Sequence, residues 1–256
     1  MKNYILYLSV FAFLLSGCSQ NGKDSQASGD NDDKAKSAES KSVESTGAQA
    51  VMYPELSAYI TSVVADMEAI PQDRKKELKK IALFVETKKR SAEPAKLTFI
   101  CTHNSRRSQT GQLWASTAAA YYGVEEGIST YSGGTEATAF NPRAVAAMER
   151  AGFQIDSPEG ENPHYQVQYS EKGPKMECFS KVYDHEANPQ ENFAAIMTCS
   201  EADKNCPSIP GASLRVPIPY VDPKESDGTD REMATYDERC KQIATEMFYI
   251  MSQVKA

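Results

Sequence analysis

The feature that most constrains the fold of this chain is an alternation of short apolar stretches with helical patterns after about residue 95. The strand-like stretches are Leu97–Cys101, Gly127–Ser132, Phe193–Thr198 and Leu214–Ile218. Helical patterns follow Arg107, start at the N-cap Asn141, and line one face from Tyr236 to Met251. This alternation predicts an α/β fold: a mainly parallel sheet with helices on both faces and right-handed crossovers.

Two regions fall outside that alternation. Apolar residues at helical spacing over 56–70 and 78–85 predict two amphipathic helices, an appendage over 51–94 that precedes a catalytic domain over 95–256. A role for these helices in partner binding is an alternative. Residues Glu159–Asn192 are rich in Pro, Gly, Tyr and charge, which predicts an irregular insertion or a small hairpin.

The first eighteen residues have the pattern of a targeting signal. Lys2 precedes an apolar run that is too short for a comfortable membrane span, and Leu15-Ser16-Gly17-Cys18 ends it. This ending resembles the bacterial lipobox, in which the cysteine carries the lipid. We therefore expect a signal peptide over 1–17, a flexible polar tether over 18–50 with a lipidated Cys18, and anchoring to a membrane of the bacterial cell envelope, facing the periplasm or the exterior. An ordinary signal peptide or a short anchor is the alternative.

Charge and cysteine content limit the function further. The net charge of −7 argues against nucleic acid as a partner, and it means that local groups must hold any bound oxyanion. Apart from Cys18 the chain has five cysteines, so at least one thiol stays free unless a partner chain pairs with it. In an exported protein a structural disulfide is the ordinary expectation.

The segment from Cys101 to Ser108 predicts an oxyanion site with a nucleophile at its floor. Cys101 ends a strand, and Arg107 opens a helix six residues later. Backbone N–H groups of the loop and the helix N-terminus would point at a tetrahedral anion, and the planar fork of Arg107 would clamp two of its oxygens. That field favours the reactive thiolate of Cys101. The candidate oxyanion-binding residues are Thr102, His103, Asn104, Ser105, Arg106, Arg107 and Ser108. A packing role for Cys101 is the alternative.

Further candidates follow two other strands. Asp222 follows the last strand, and because carboxyl ends of parallel strands share one edge, it could give a proton to the leaving oxygen. An ordinary Asp-Pro turn is the alternative. Cys199 also ends a strand, and Cys206 lies seven residues further in a polar loop, a spacing that suits a disulfide relay. A static disulfide is the alternative; a zinc pair is disfavoured because the three histidines lack matching spacing.

In combination these motifs resemble the low-molecular-weight protein-tyrosine phosphatase superfamily. The resemblance runs from Leu97 to the C-terminus, except Glu159–Asn192, and rests on Cys101-Thr-His-Asn-Ser-Arg-Arg-Ser, Tyr131-Ser-Gly-Gly-Thr-Glu136, Asn141-Pro142-Arg143-Ala144-Val145 and Asp222-Pro223. The additional pair, Cys199 and Cys206, resembles the Cys-x6-Cys pair of one branch of that superfamily, the thioredoxin-coupled arsenate reductases.

The resemblance implies a role for each site residue. Cys101 would be the nucleophile, Arg107 and Ser108 oxyanion groups, and Asp222 the acid. Asn104 would hold the shape of the loop, and Cys199 and Cys206 would carry the redox steps. The substrate would be arsenate or a phosphate ester and the reductant a thioredoxin-like protein, without a cofactor.

The chain also departs from the family pattern at four positions. His103 stands where glycine is usual, so we expect a narrower loop mouth and an unusual backbone angle there. Arg106 replaces the second loop cysteine of the phosphatases, and Lys224 replaces the aromatic ring that grips phosphotyrosine. Gln112 replaces an acidic residue associated with a potassium site, which predicts no metal.

Three functions therefore stand as hypotheses. The first is a lipid-anchored arsenate reductase with a Cys101–Cys199–Cys206 relay. The second is a phosphatase with a Cys101 phosphocysteine intermediate and a structural Cys199–Cys206 clip. The third is a non-catalytic oxyanion-binding lipoprotein, against which the intact set of Cys101, Arg107 and Asp222 speaks.

Overall fold

The structure, a computed structural model, describes residues 50–206 and 208–255, all within one unit, Glu44–Ala256. The signal peptide over 1–17, Cys18 and the tether up to residue 49 lie outside the described residues. Within the described part, no helix combines the length and apolarity that a membrane crossing requires.

Thirteen longer elements are described, with a 3-10 turn over Met67–Ala69 and another over Pro223–Ser226. The strands are β1 (Ala95–Cys101), β2 (Ile128–Gly134), β3 (Gln154–Asp156), β4 (Tyr165–Gln168), β5 (Met176–Cys178), β6 (Phe193–Met197) and β7 (Ala212–Pro217). The helices are α1 (Pro54–Asp66), α2 (Gln72–Arg90), α3 (Arg107–Tyr121), α4 (Pro142–Arg150), α5 (Ser200–Asn205) and α6 (Glu232–Ser252).

The main sheet has the order β2-β1-β6-β7, and all of its neighbouring strands are parallel. Alternate residues of β1 point to opposite faces. Leu97 and Phe99 join a core with the large helices, whereas Ile100 joins a smaller cluster with Ala202 of α5. Cys101, the last residue of the strand, also belongs to that smaller cluster. The predicted fold class, a parallel sheet with helices, is therefore confirmed.

The region between α4 and β6 holds a second, smaller sheet. Its strand order is β3-β4-β5, and both pairings are antiparallel. The pair β4 and β5 is the small hairpin that was one of the two expectations for Glu159–Asn192.

Helices α1 and α2 pack against α6 and share the main core. Leu56, Ile60 and Val63 of α1 are fully buried or nearly so, as are Leu78, Ile81 and Val85 of α2. Because these helices cover α6, its buried surface extends beyond the single apolar face predicted from the sequence. Glu246, Phe248 and Tyr249 are buried as well. The division into an appendage over 51–94 and a catalytic domain over 95–256 stays a prediction.

Three chain segments meet at the carboxyl edge of the main sheet. The backbone N–H of Thr198 donates to the carbonyl of Ile100 at 2.7 Å, and that of Tyr220 donates to the carbonyl of Thr198 at 3.0 Å. These bonds continue the ladder beyond the ends of β1, β6 and β7. The residues after each strand are thereby brought to one edge.

Candidate active site

Cys101 lies at the base of the loop between β1 and α3. Its thiol is almost fully buried, and Sγ is 3.0 Å from Oγ of Ser108. The same Ser108 oxygen accepts a hydrogen bond from Nδ2 of Asn104 at 2.8 Å. Because that oxygen already accepts, its own hydrogen is free to donate to Sγ of Cys101.

Asn104 shapes the loop through both its backbone and its side chain. Its φ is 46°, in the left-handed region, and its Oδ1 accepts a hydrogen bond from the backbone N–H of Lys181 at 2.9 Å. The unusual backbone angle expected at His103 is therefore wrong: the turn is made one residue later. Asn is among the residues that tolerate this region best, because its short polar side chain bonds locally. The exposed His103 side chain lies at the mouth, with Nε2 3.5 Å from Oε2 of Glu136.

Arg107 is the first residue of α3, and its guanidinium is nearly buried. Nη1 donates to the carbonyl of Tyr220 at 2.9 Å, and Nη2 donates to Oδ2 of Asp222 at 2.7 Å. Nε is buried and has no hydrogen-bond partner within the described residues. A buried donor without a partner is costly, so a ligand oxygen at this position would satisfy it.

Asp222 begins the 3-10 turn that follows the last strand. Its Oδ1 accepts from the backbone N–H of Lys224 at 3.1 Å, which leaves Oδ2 for Arg107. The structure thus brings Asp222 to the Cys101 loop.

The side chain of Arg106 turns toward the segment that carries Asp222, and the place of Arg106 among the oxyanion-binding residues of the loop stays a prediction. Its Nε donates to the hydroxyl of Tyr236 at 3.0 Å, and that hydroxyl donates to Oδ1 of Asp227 at 2.8 Å. Burial, followed by the hydrogen bond to Asp227, raises the pKa of Tyr236 to about 12. Tyr236 therefore stays a neutral donor at neutral pH, and it ties α6 to this segment.

A cavity of about 500 Å³ opens above the loop. Its lining residues are Thr102, His103, Arg107, Ser200, Glu201, Pro219, Tyr220, Val221, Asp222 and Glu225. Sequence reasoning missed Glu201, although its place two residues after the strand-end Cys199 was a usable signal. Its own backbone N–H holds the pKa of the Glu201 carboxyl below its usual value, and the Ser200 hydroxyl and the charge of Arg107 act in the same direction. The cavity rim therefore carries a negative charge.

The two relay candidates flank the short helix α5. Cys199 is fully buried, its Sγ is 3.4 Å from Oγ1 of Thr102, and it accepts a hydrogen bond from the backbone N–H of Ala202. Cys206 is partly exposed, and Arg215 donates to its carbonyl from Nε at 3.2 Å and Nη2 at 3.0 Å. Both cysteines are free thiols within the described part of the chain. Cys199 belongs to the buried cluster that contains Cys101, and Cys206 packs against that cluster.

The other two described cysteines lie away from this site. Burial raises the pKa of Cys178 to about 12 and that of Cys240 to about 11. Both therefore stay protonated at neutral pH, and protonated thiols are poor nucleophiles.

Known proteins resemble part of this arrangement. Residues 96–166 match the family model described as low molecular weight phosphotyrosine protein phosphatase. An arsenate reductase of Halalkalibacterium halodurans is 31% identical over 134 residues, which are 52% of this chain and 78% of that protein. Arsenate reductase 2 of Staphylococcus epidermidis is 30% identical over 49% of this chain and 76% of its own length. A solved structure described as an arsenate reductase in the phosphate binding state is 18% identical, with a TM-score of 0.41, over 63% of this chain and 99% of that one.

Proposed function

This chain belongs to the low molecular weight phosphotyrosine protein phosphatase family, on its arsenate reductase branch, and from that membership we propose that it reduces arsenate to arsenite. Cys101 would be the nucleophile, and Cys199 and Cys206 would carry the electrons away. The observation that supports reduction most directly is the position of Cys199, whose Sγ is 3.4 Å from the hydroxyl of Thr102, the residue next to Cys101.

In the first step, the thiolate of Cys101 attacks arsenic and a sulfur–arsenic bond forms as an arsenic–oxygen bond breaks. Asp222 gives its proton to the departing oxygen, which leaves as water. Arg107 and the backbone N–H groups of the loop stabilise the charge on the remaining oxygens. Two observations support these assignments: Nε of Arg107 has no hydrogen-bond partner in the part of the chain that the structure describes, and Oγ of Ser108 lies within hydrogen-bond distance of Sγ of Cys101.

In the second step, the thiolate of Cys199 attacks Sγ of Cys101. A disulfide forms, the sulfur–arsenic bond breaks, and its electron pair reduces arsenic to arsenite. Cys206 then attacks Cys199 as a thiolate, so that the disulfide moves to Cys199–Cys206 and Cys101 is released. A thioredoxin-like dithiol reduces this last disulfide. Cys206 is partly exposed, so such a partner could reach it.

A phosphatase is the second candidate, and the size of the cavity favours it. Its volume of about 500 Å³ falls within the range of roughly 300–1,000 Å³ that is typical of sites for larger organic ligands. A phosphate ester would use only the first step, followed by attack of water on a Cys101 phosphocysteine. The third hypothesis, a non-catalytic oxyanion-binding lipoprotein, has no support among the relatives, which are named as enzymes.

Paired assays of the full chain, purified in detergent, separate the two enzymes. For a reductase, Cys199→Ser and Cys206→Ser abolish arsenate turnover with a dithiol donor, whereas hydrolysis of p-nitrophenyl phosphate survives. Cys178→Ala, which removes a buried thiol away from the site, is the matched control and keeps both activities. Turnover of phosphate esters alone, unchanged in the two serine variants, would reject reduction. Activity of Cys101→Ser in either assay would reject both enzymes.

We also propose that the mature protein is anchored by a lipid on Cys18 in the cell envelope, a proposal that rests on the sequence of residues 1–18. Membrane fractionation followed by mass spectrometry of the N-terminal peptide tests it. The expected peptide begins at Cys18 and carries acyl chains, and Cys18→Ser prevents this processing. An unmodified N-terminus in the soluble fraction would contradict the proposal.

A further inference from the structure

We propose that Arg74, on helix α2, is a positioning residue that holds the acid loop, residues 218–227, in place through Glu246 and Tyr220. The inference rests on the proposed function, because it takes Asp222 as the acid and Arg107 as an oxyanion group. It gives α2, which precedes the segment matched by the family model, a part in the chemistry.

The first contact is a two-pronged ion pair between α2 and α6. Nε and Nη2 of Arg74 donate to the two carboxylate oxygens of Glu246, each at 2.8 Å. The Glu246 side chain is 5% exposed and that of Arg74 is 19% exposed. Two parallel bonds between planar groups fix orientation as well as distance. Nη2 of Arg74 also donates to the carbonyl of Ile218 at 3.2 Å, at the start of the acid loop.

The second contact joins this pair to Tyr220. The Tyr220 hydroxyl donates to Oε2 of Glu246 at 2.6 Å, and the Arg74 guanidinium lies 5.0 Å from the centre of the ring. Burial, followed by the charge of Glu246, raises the pKa of Tyr220 well above its usual value. The phenol therefore keeps its proton and remains a donor to Glu246.

The third contact reaches the reacting groups. The main-chain carbonyl of Tyr220 accepts from Nη1 of Arg107, while Nη2 of the same guanidinium bonds Asp222. Tyr220 is thus held at its ring by Glu246 and at its backbone by Arg107. A shift of the Tyr220 main chain would displace the carbonyl that accepts from Arg107, and it would move Asp222, two residues further along the same loop.

Stability alone is a weak explanation for this arrangement. A buried ion pair is often replaceable by apolar residues without loss of stability, because desolvation offsets much of the attraction. Orientation is a different matter, since small displacements of a catalytic group lower rates strongly. The removal of Arg74 alone leaves a buried carboxylate without its partner, so the test also uses a variant in which both charges are removed.

The experiment measures kcat/KM of the full chain on a series of aryl phosphates whose leaving phenols range from strongly to weakly acidic. In this reaction the Cys101 sulfur–phosphorus bond forms, the phosphorus–oxygen bond to the phenol breaks, and Asp222 protonates the phenol oxygen. Proton donation matters most when the leaving group is poor. Asp222→Asn therefore defines the reference, with a loss of about 100-fold on phenyl phosphate and far less on dinitrophenyl phosphate.

A positioning role predicts the same pattern at smaller amplitude. The double variant Arg74→Met/Glu246→Gln is expected to lose about 10-fold on phenyl phosphate and little on dinitrophenyl phosphate, because a misplaced acid fails mainly with poor leaving groups. Tyr220→Phe should show the same dependence on the leaving group as the double variant. Arg74→Lys should lose less of the rate than the double variant does, because it keeps the charge. The control is Lys241→Met, which removes the 2.7 Å ion pair between α6 and Asp66 without a contact to the acid loop, and it should match the unchanged protein.

Two results would overturn the inference while leaving the proposed function intact. One is a uniform loss across all leaving groups in the Arg74 variants, and the other is an unchanged series. Amide hydrogen exchange gives a reading independent of activity: exchange in residues 218–227 should accelerate in the double variant and not in Lys241→Met. An unchanged exchange rate there also counts against the inference. If the unaltered protein shows no Cys101-dependent turnover of any substrate, the proposed function itself fails, and the inference with it.

Discussion

Substitution of Asn104 separates the two ways in which this residue shapes the loop. Its backbone has a φ of 46°, a region that costs L-residues other than Asn and Asp about 1–2 kcal/mol. Its side chain makes two short hydrogen bonds, to Ser108 at 2.8 Å and from the backbone of Lys181 at 2.9 Å. A series of Gly, Ala and Asp at this position changes these contributions one at a time.

The expected losses follow from those contacts. Asn104→Gly keeps the backbone angle and removes both hydrogen bonds, so the free energy of unfolding should fall by about 2 kcal/mol, at about 1 kcal/mol for each bond. Asn104→Ala adds backbone strain and should be lower by a further 1 kcal/mol or so. Asn104→Asp keeps the acceptor for Lys181 but offers Ser108 an acceptor in place of a donor. The Ser108 hydrogen then turns away from Cys101, so this variant should be nearly as stable as the original and still lose about 100-fold in kcat/KM.

Urea unfolding at pH 7 gives the stabilities, and hydrolysis of p-nitrophenyl phosphate gives the rates. Equal stability of the Gly and Ala variants would refute the argument from backbone strain. Full activity of Asn104→Asp would refute the proposed path from Asn104 through Ser108 to Cys101.

Three further substitutions have defined expectations. Gly134→Ala would place its Cβ 2.6 Å from the carbonyl oxygen of Thr102 and 2.7 Å from the backbone nitrogen of Asn104. Urea unfolding should therefore show a free energy of unfolding lower by about 1–3 kcal/mol, and the rate of p-nitrophenyl phosphate hydrolysis should fall. Unchanged stability and rate would contradict this packing. Because burial raises the pKa of Cys240 to about 11, the folded thiol keeps a proton that the unfolded chain releases. The stabilisation that this thiol contributes is therefore fully present below about pH 9 and is lost as the pH rises toward about 11. In urea unfolding, the free energy of unfolding of Cys240→Ala should fall less steeply over this pH range. Glu201→Gln removes a negative charge from the cavity rim, so KM for the anionic substrate should fall about 2-fold at low salt, and an equal difference at high salt would argue against an electrostatic cause.

Much of the fold and part of the site could be predicted from short-range patterns. The strand before Cys101, the helix that opens at Arg107 and the N-cap at Asn141 each depend on neighbours a few residues away. The order of apolar strands and helices was enough to predict a parallel sheet, and a parallel sheet brings the ends of β1, β6 and β7 to one edge. The proximity of Cys101, Cys199 and Asp222 therefore needed no knowledge of side-chain packing.

The directions of individual side chains could not be predicted in this way. The sequence suggested an unusual backbone angle at His103; in the structure that angle is at Asn104, and the side chain of Arg106 donates to Tyr236, a contact that the sequence did not indicate. Such details depend on which groups are already paired nearby, and these partners come from distant parts of the chain.

The fold class and the loop that carries the nucleophile could be predicted from the sequence alone, because both follow from local periodicity and from the chemistry of a strand–loop–helix junction. How the acid loop, residues 218–227, is held depends on contacts that form only in the folded chain. Arg74 and Glu246 are 172 residues apart in the chain and belong to helices whose sequences show only an apolar stripe. Periodicity indicates which face of a helix is buried, but the pairing of polar groups inside the core depends on where two helices cross, and the residues of one segment do not contain that information.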